Sequence, residues 1–166
     1  MARVACPKTV AAFLDLIALN EGTLEAPHTR DDGYDIIVSG IHGPNTFSDY
    51  SAHPFANGRT PIIVAAEPHF IESTASGRYQ ITLPTWEYIS RNHLIGTFSP
   101  RQQDMGALIL LEECGATALV RAGKVSDAIV AACLTWHSFP SSRTSETNPT
   151  INRLLERYQI LLATQR

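Results

Sequence analysis

The chain has few cysteines and no spacing that pairs them. Cys6, Cys114 and Cys133 are the three thiols among 166 residues, and they form no CxxC motif. An odd number without that spacing argues against a disulfide framework and against a zinc knuckle. One long-range disulfide is left open, and we expect instead that the thiols are buried as small apolar side chains.

Long apolar runs and basic clusters are also missing. No stretch approaches the roughly 20 apolar residues that a membrane span needs. Asp15 interrupts the apolar segment that follows Arg3 and Lys8, so this segment is interpreted as a helix of the mature protein and not as a signal peptide. The 13 Lys+Arg and 16 Asp+Glu give a net charge of −3, which disfavours binding to a phosphate backbone. We therefore expect no membrane insertion and no nucleic-acid partner.

The composition is that of a globular domain. Hydrophobic residues make up 44% of the chain, with 10 glycines and 10 prolines, which excludes a disordered chain and a fibre. The length suits one domain that buries roughly 70% of its unfolded surface. We predict a single catalytic domain over residues 1–166, with a sheet lobe at about 23–80 and a helical lobe from 1–22 and about 81–166.

The order of the predicted elements is a helix, a small sheet and then a helical bundle. Thr9 caps a helix over residues 9–20 that Gly22 ends. A strand over 34–40, a turn at 43–45 and a return strand at 46–48 follow. Residues 52–72 are interpreted as a long surface loop, in which a strand at 62–65 is left open. Further helices are predicted over 84–94, from Pro100 up to Gly115 with Ser99 and Gln102 as a capping box, and over 117–121, 126–136 and 150–163.

These elements predict an α+β fold, in which a small antiparallel β-sheet packs beside a mainly helical lobe with a cleft between them. Glu21 stands at the end of the first helix, directly before Gly22. Partial burial there would raise the pKa of its carboxyl group, as a general acid requires. A solvated carboxylate at a helix end is the simpler interpretation of this spacing alone.

Residues 73–81, followed by Trp86, combine hydroxyl, guanidinium, amide and aromatic groups. That mixture is typical of saccharide binding, although a capped turn with one buried tyrosine explains it equally well. The six histidines form no HExxH motif, and Asp31 and Asp32 before Gly33 are more simply a turn than metal ligands. We expect no metal and no cofactor.

Five segments in a fixed order carry a family resemblance: residues 12–23, 29–38, 47–54, 73–81 and 98–104. Through them the chain resembles the endolysins of lambdoid bacteriophages, which are lysozyme-like lytic transglycosylases. The likeness covers most of residues 12–136 and fades beyond Trp136.

The resemblance implies an activity and a set of site residues. The family cleaves the β-1,4 bond between N-acetylmuramic acid and N-acetylglucosamine of peptidoglycan and leaves a 1,6-anhydro sugar, causing lysis of the host cell. Its essential glutamate corresponds to Glu21. The substrate-binding residues that the resemblance implies are Ser76, Arg78, Tyr79, Gln80 and Tyr50, of which Arg78 and Tyr50 also have a structural interpretation.

The resemblance also implies a monomer that binds peptidoglycan glycan strands. The protein would be made in the host cytoplasm without a signal peptide and act in the periplasm after release through a separate pore-forming protein. The loops 52–72 and 138–149 are expected to be mobile lips that close on a glycan. The 138–149 loop differs in sequence from the family and carries Arg143 and Glu146.

Two alternatives stay open. Phage muramidases place an aspartate nine residues after their glutamate, and here that position is Arg30, with Asp31 adjacent. A hydrolase using Glu21 with Asp31 or Asp35 is the first alternative. The second is a non-catalytic module that binds cell-wall glycan.

Overall fold

The computed structural model describes residues 2–142 and 149–165. Within these residues the chain forms an α+β arrangement of six helices and two small antiparallel sheets. In chain order the elements are α1 (Lys8–Asn20), β1 (Ile36–Gly40), β2 (Gly43–Thr46), β3 (Ile62–Ala65), β4 (Ile71–Ser73), α2 (Leu83–His93), α3 (Pro100–Glu113), α4 (Ala116–Arg121), α5 (Val125–Ala132) and α6 (Pro149–Thr164).

Helix α1 is the most deeply buried of the described helices, because most of its side chains are apolar. Phe13, Leu14, Leu16 and Ile17 have no exposed surface. The helix begins at Lys8, directly after Pro7, so the prediction that Thr9 caps it was wrong. Proline has its backbone dihedral φ already set for a helix start and needs no hydrogen bond there.

The first hairpin pairs β1 with β2, with Ile36 opposite Thr46. The predicted turn at 43–45 was wrong, because these residues belong to β2 and the chain reverses at Ile41 and His42. Pro44 fits this position because β2 is an edge strand, where a missing backbone N–H leaves no hydrogen bond of the sheet unmade.

The second hairpin lies inside the segment that the sequence suggested was irregular. The strand at 62–65 is present as β3, and β4, which pairs with it, was missed. The Ile41 N–H donates to the Ile63 carbonyl at 2.9 Å and joins the two hairpins. Gly40 is required at this junction, because a Cβ atom there would lie 2.6 Å from the same carbonyl oxygen.

Two details of the predicted helical part were also wrong. Gln102 accepts a hydrogen bond from the Thr97 N–H at 2.6 Å and so does not form a capping box with Ser99. Helix α5 ends at Ala132, before Trp136, whose indole N–H donates to the Tyr79 carbonyl at 2.8 Å.

The elements share one cluster of buried apolar side chains, which joins α1 and the later helices to Tyr34 and Tyr79. The three cysteines are free thiols that form no disulfide. They were expected to be buried, and each is only partly buried where it packs against the core. In the ranges that the structure describes, no helix has both the length and the apolar character needed to cross a bilayer.

Candidate active site

Glu21 lies at the C-terminal end of α1. Its backbone N–H donates to the Ile17 carbonyl at 2.9 Å, and the next residue, Gly22, has a φ of +74° that turns the chain away from the helix. The Glu21 side chain is partly exposed. Burial raises the pKa of its carboxyl group, while a hydrogen bond from Ser138 acts in the opposite direction. The net shift of this pKa is upward, as predicted for a general acid.

Ser138 contacts Glu21 from the other end of the chain. Its hydroxyl donates to Glu21 Oε1, and the Asn20 side-chain amide donates to Ser138 Oγ at 2.7 Å. Neither Asn20 nor Ser138 was predicted as a site residue, because neither contact follows a recognisable sequence motif. Ser138 opens the predicted lip at 138–149, of which residues 143–148, including Arg143 and Glu146, lie outside the described residues.

Thr23 ties the end of α1 to residues 76–80. Its hydroxyl lies 2.5 Å from the Arg78 carbonyl oxygen and 3.0 Å from the Ala18 carbonyl oxygen. Gly33 packs so closely behind Thr23 that a Cβ on the glycine would lie 2.8 Å from the Thr23 carbonyl oxygen. The Glu21 backbone is therefore held by neighbours that are distant in sequence.

Gln103 holds the turn at residues 76–80 through its side-chain amide. Its Oε1 accepts from the Arg78 N–H at 2.9 Å, and its amide nitrogen donates to the carbonyls of Tyr34 and Phe98 at 3.0 and 2.9 Å. Gly77 leaves the space that the Gln103 amide fills, because a Cβ there would lie 2.1 Å from Gln103 Oε1. The close approach that Gly77 allows is therefore made by the Gln103 side chain.

Three of the residues expected to bind a glycan have buried side chains. Ser76, Arg78 and Tyr79 each have 0% exposed surface. The Ser76 hydroxyl donates to the Thr74 carbonyl at 3.1 Å, and the Tyr79 hydroxyl donates to Asp104 at 2.6 Å. A side chain without exposed surface cannot stack on or hydrogen bond to a sugar, so this geometry corrects the direct contact expected of them to a supporting position behind the site.

The polar groups around Arg78 and Tyr79 are buried together. The Arg78 guanidinium pairs with Asp15 at 2.7 Å and donates to the Asp32 carbonyl. Burial raises the pKa of the Tyr79 hydroxyl, and the nearby Tyr34 and Asp104 raise it further. Tyr79 therefore stays neutral and remains a hydrogen-bond donor to Asp104.

Gln80 and Tyr50 keep exposed surface. Gln80 has a φ of +49°, and its amide donates to the Gly77 carbonyl at 3.0 Å. Tyr50 donates to Asp31 at 2.8 Å and packs edge to face on Phe47, with ring centroids 5.1 Å apart. These two remain the predicted glycan-binding side chains that a ligand could reach.

Tyr50 lies in a groove of about 310 Å³ on the sheet side of the molecule. The residues that line this groove are Arg30, Asp31, Asp35, Thr46, Phe47, Ser48 and Tyr50. Asp31 and Asp35, the two aspartates considered for hydrolysis, therefore line the same groove. The aromatic pair of Phe47 and Tyr50 lines it as well.

Each of these aspartates is already engaged within the protein. Burial alone would raise the pKa of Asp31, but hydrogen bonds from Tyr50 and Arg3 and the charge of Arg3 outweigh it and lower that pKa. Asp35 is buried and accepts hydrogen bonds from the Thr29 hydroxyl at 2.5 Å and the Arg30 N–H at 2.9 Å. Among the residues that the structure describes, no three histidine, cysteine, aspartate or glutamate side chains are grouped as a metal site would require.

Comparison with known proteins assigns the family. Residues 11–164 match a family model described as Endolysin. The chain belongs to the endolysin family. The match continues to residue 164, so the expectation that the likeness fades beyond Trp136 was wrong.

Two relatives and two solved structures place this endolysin more closely. It is 38% identical to the endolysin of Escherichia phage P2 over 149 residues, which cover 89% of each chain. It is 36% identical to the endolysin of Escherichia phage lambda, with 79% of this chain and 77% of the other covered.

Its fold is similar to that of the lysozyme from bacteriophage lambda, with a TM-score of 0.81, 28% identity and 95% and 96% coverage of the two chains. A bacteriophage lambda lysozyme complexed with a chitohexasaccharide gives a TM-score of 0.80 with 30% identity and the same coverage. The predicted lysozyme-like α+β fold is thereby confirmed.

Proposed function

We propose that this endolysin is a lytic transglycosylase that cleaves the β-1,4 bond between N-acetylmuramic acid and N-acetylglucosamine and leaves a 1,6-anhydro product. The coarser function, a lysozyme-like enzyme that acts on peptidoglycan, follows from its family. One observation carries the finer proposal: Glu21 has a carboxyl group with a raised pKa, while Asp31 and Asp35 are held in other interactions.

The proposed reaction uses one carboxyl group twice. Protonated Glu21 donates its proton to the oxygen of the bond being broken, and the C6 hydroxyl of the N-acetylmuramic acid attacks the anomeric carbon. The resulting Glu21 carboxylate then accepts the proton of that hydroxyl. The nucleophile belongs to the substrate, so attack is intramolecular and needs no activated water.

A hydrolase would need a second carboxylate to activate water or to attack the sugar. Arg30 occupies the position where muramidases have an aspartate, and Asp31 is bound by Arg3 and Tyr50. Asp35 is buried and accepts hydrogen bonds from its own loop. Because both aspartates are already held by other groups, the transglycosylase is favoured. Analysis of the reaction products distinguishes it from the hydrolase.

In this proposal the glycan is bound by Gln80 and Tyr50, and Ser76, Arg78 and Tyr79 support the turn behind them. A lambda lysozyme has been solved with a chitohexasaccharide, which supports a glycan ligand for a chain of this fold. We propose that the enzyme works as a monomer on peptidoglycan in the periplasm, and that it leaves the host cytoplasm through a pore made by another protein.

The product of the reaction tests the proposal. Purified peptidoglycan digested with the protein should give fragments that end in 1,6-anhydro-N-acetylmuramic acid when analysed by mass spectrometry. Reducing ends would contradict transglycosylation and support a hydrolase. If no fragments are released while the protein still binds the wall, the non-catalytic alternative is correct.

A substitution at Glu21 tests its role. Glu21→Gln should lower the rate of lysis of permeabilised cells by roughly 100-fold or more, because an amide can neither donate nor accept the required proton. Glu25→Gln is the matched control, since Glu25 lies four residues further on and pairs with Arg157 at 2.6 Å. Wild-type activity should fall as the pH rises through the Glu21 pKa, and because that pKa is raised, activity should persist to higher pH than an ordinary glutamic acid allows.

A further inference from the structure

Three side chains from two distant parts of the chain form a short hydrogen-bonded series at the site. The Asn20 amide donates to the Ser138 hydroxyl at 2.7 Å, and that hydroxyl donates to Glu21 Oε1. Asn20 and Glu21 are consecutive at the end of α1, and Ser138 follows α5 by a few residues. The series therefore bridges the catalytic helix end and the segment that leads into the 138–149 loop.

We infer that Ser138 is a positioning residue for Glu21, which holds one carboxyl oxygen so that the other faces the substrate, and that Asn20 sets the direction of the Ser138 hydroxyl. The inference rests on the proposed catalytic role of Glu21. It adds two residues that act through Glu21 without touching the bond that is cleaved.

The donor inventory of these groups gives the series one direction. A serine hydroxyl has one proton and two acceptor lone pairs, and an asparagine amide nitrogen has only protons to give. Because Asn20 donates to Ser138, one lone pair is occupied and the single hydroxyl proton is directed at Glu21. Oε1 can accept this proton whether Glu21 is ionised or not, so the acidic proton of Glu21 is carried by Oε2.

The role follows from the two tasks proposed for Glu21. A carboxyl group that first donates and then accepts a proton must keep its orientation through both steps. A hydrogen bond to an ionised oxygen is stronger than one to a neutral oxygen, so Ser138 stabilises the carboxylate that forms after the first step. Without Ser138 the side chain would be free to rotate at a partly exposed position.

Titratable groups on the elements around Glu21 can also change charge when the pH dependence of Glu21 is measured. They lie on α1, the following loop, the 76–80 turn, the segment before Ser138 and α6, and they include Lys8, Asp15, Glu25, Arg78, His137, Arg153, Glu156 and Arg157. Arg78 is paired with Asp15, and Arg157 with Glu25. Burial and the Ser138 hydrogen bond are the causes of the pKa shift of Glu21 itself.

A direct measurement on the carboxyl group tests the inference apart from any activity. Carbon-13 NMR of the full chain labelled at glutamate side chains, with Glu21→Gln to assign the resonance, gives the Glu21 titration midpoint. Ser138→Ala should move this midpoint to higher pH, since the hydrogen bond that favours the charged form is lost. Ser138→Thr, which keeps the hydroxyl, should restore it, and Ser126→Ala on α5 is the matched control.

Kinetics give the second readout. Ser138→Ala should lower kcat roughly threefold to tenfold with little change in KM, and the alkaline limb of the pH profile should move in the same direction as the NMR midpoint. Asn20→Ala should act in the same direction, and Asn20→Ala combined with Ser138→Ala should be no worse than Ser138→Ala alone, because both changes remove one interaction.

An unchanged Glu21 midpoint in Ser138→Ala, or additive losses in the double variant, would overturn the inference. A fall in activity without movement of the pH limb would also overturn it, since that is the result of a merely structural role. Reducing-end products with a shifted midpoint would refute the transglycosylase and leave the positioning of Glu21 by Ser138 intact.

Discussion

Arg78 has no exposed surface, although arginine is among the residues most often found on protein surfaces. Its guanidinium pairs with Asp15 at 2.7 Å, and it lies over the Tyr34 ring with 5.1 Å between the guanidinium carbon and the ring centroid. The residues around Arg78 form a polar segment of a type that binds sugars. Because Arg78 itself is buried, its guanidinium charge interacts with other buried groups of the protein.

Replacing Arg78 should therefore cost stability first. Arg78→Met removes the buried cation that pairs with the Asp15 carboxylate, and we expect the free energy of unfolding to fall by about 3–5 kcal/mol. Urea unfolding measures this change. The control is Arg91→Met, whose exposed pair with Glu87 at 3.9 Å should contribute less than about 1 kcal/mol. If Arg78→Met keeps full stability but loses affinity for chito-oligosaccharides, a direct substrate contact is the correct role after all.

Glu21 and Ser138 show how much of a site the sequence reveals at this scale. The apolar run that ends at Glu21 and Gly22 is a local pattern that predicts a glutamate at a helix end, and the family resemblance is what gave this glutamate a catalytic role. Ser138 lies 117 residues away in the chain, and only the fold places its hydroxyl on the carboxyl group.

The elements of the helical part follow their local patterns more closely than the strands do. The helix predicted over 150–163 is present as α6, and the one over 117–121 as α4. Strand β4 has only three residues, two of them exposed, so no alternation of apolar and polar side chains marks it. It forms because β3 offers a partner.

The end of α2 provides a test at the scale of one element. The helix ends at His93, and Leu94 after it takes the left-handed conformation, with a φ of +54° and 93% of its surface exposed. Leu94→Gly should raise the free energy of unfolding by about 0.5–1 kcal/mol, because the strain of a side chain at positive φ is removed and little burial is lost.

Leu134 is the matched control for this change. It is also an exposed leucine, at 76%, in the turn after α5, but its φ is not positive. Leu134→Gly should lower the free energy of unfolding by about 0.5–1 kcal/mol, because glycine loses more backbone entropy on folding. Thermal unfolding followed by circular dichroism compares the two variants, and a loss of stability in both would contradict the strain at Leu94.

At the scale of the whole molecule, the negative net charge means that an anionic cell wall does not attract this protein over long distances. The net charge is −3. Long-range attraction to the wall is then absent, and binding must depend on short-range contacts with the glycan. Lysis should change by less than about twofold between about 20 and 150 mM salt, or rise slightly as repulsion is screened.

A charge-reversed variant tests this expectation. Lysine in place of Glu67, Glu112 and Glu156, all exposed, makes the net charge positive without changing the described site. Its lysis rate should be higher at low salt and fall steeply as salt is added, because attraction to the wall is screened. A steep fall for the wild-type protein would contradict the argument from net charge. Turbidity of permeabilised cells at a series of salt concentrations measures both.

The sequence by itself determined the α+β class, the central apolar helix and the position of Glu21 at its end, because hydrophobic periodicity and chain punctuation act over short distances. The tertiary structure decided which polar residues face solvent near Glu21 and which lie buried behind it. Arg78 and Tyr79 stand next to Gln80 in the chain, yet partners as distant as Asp15, Gln103 and Asp104 bind the first two in the interior, while Gln80 is partly exposed. Burial depends on everything that packs around a residue, and those neighbours come from parts of the chain that no local pattern connects.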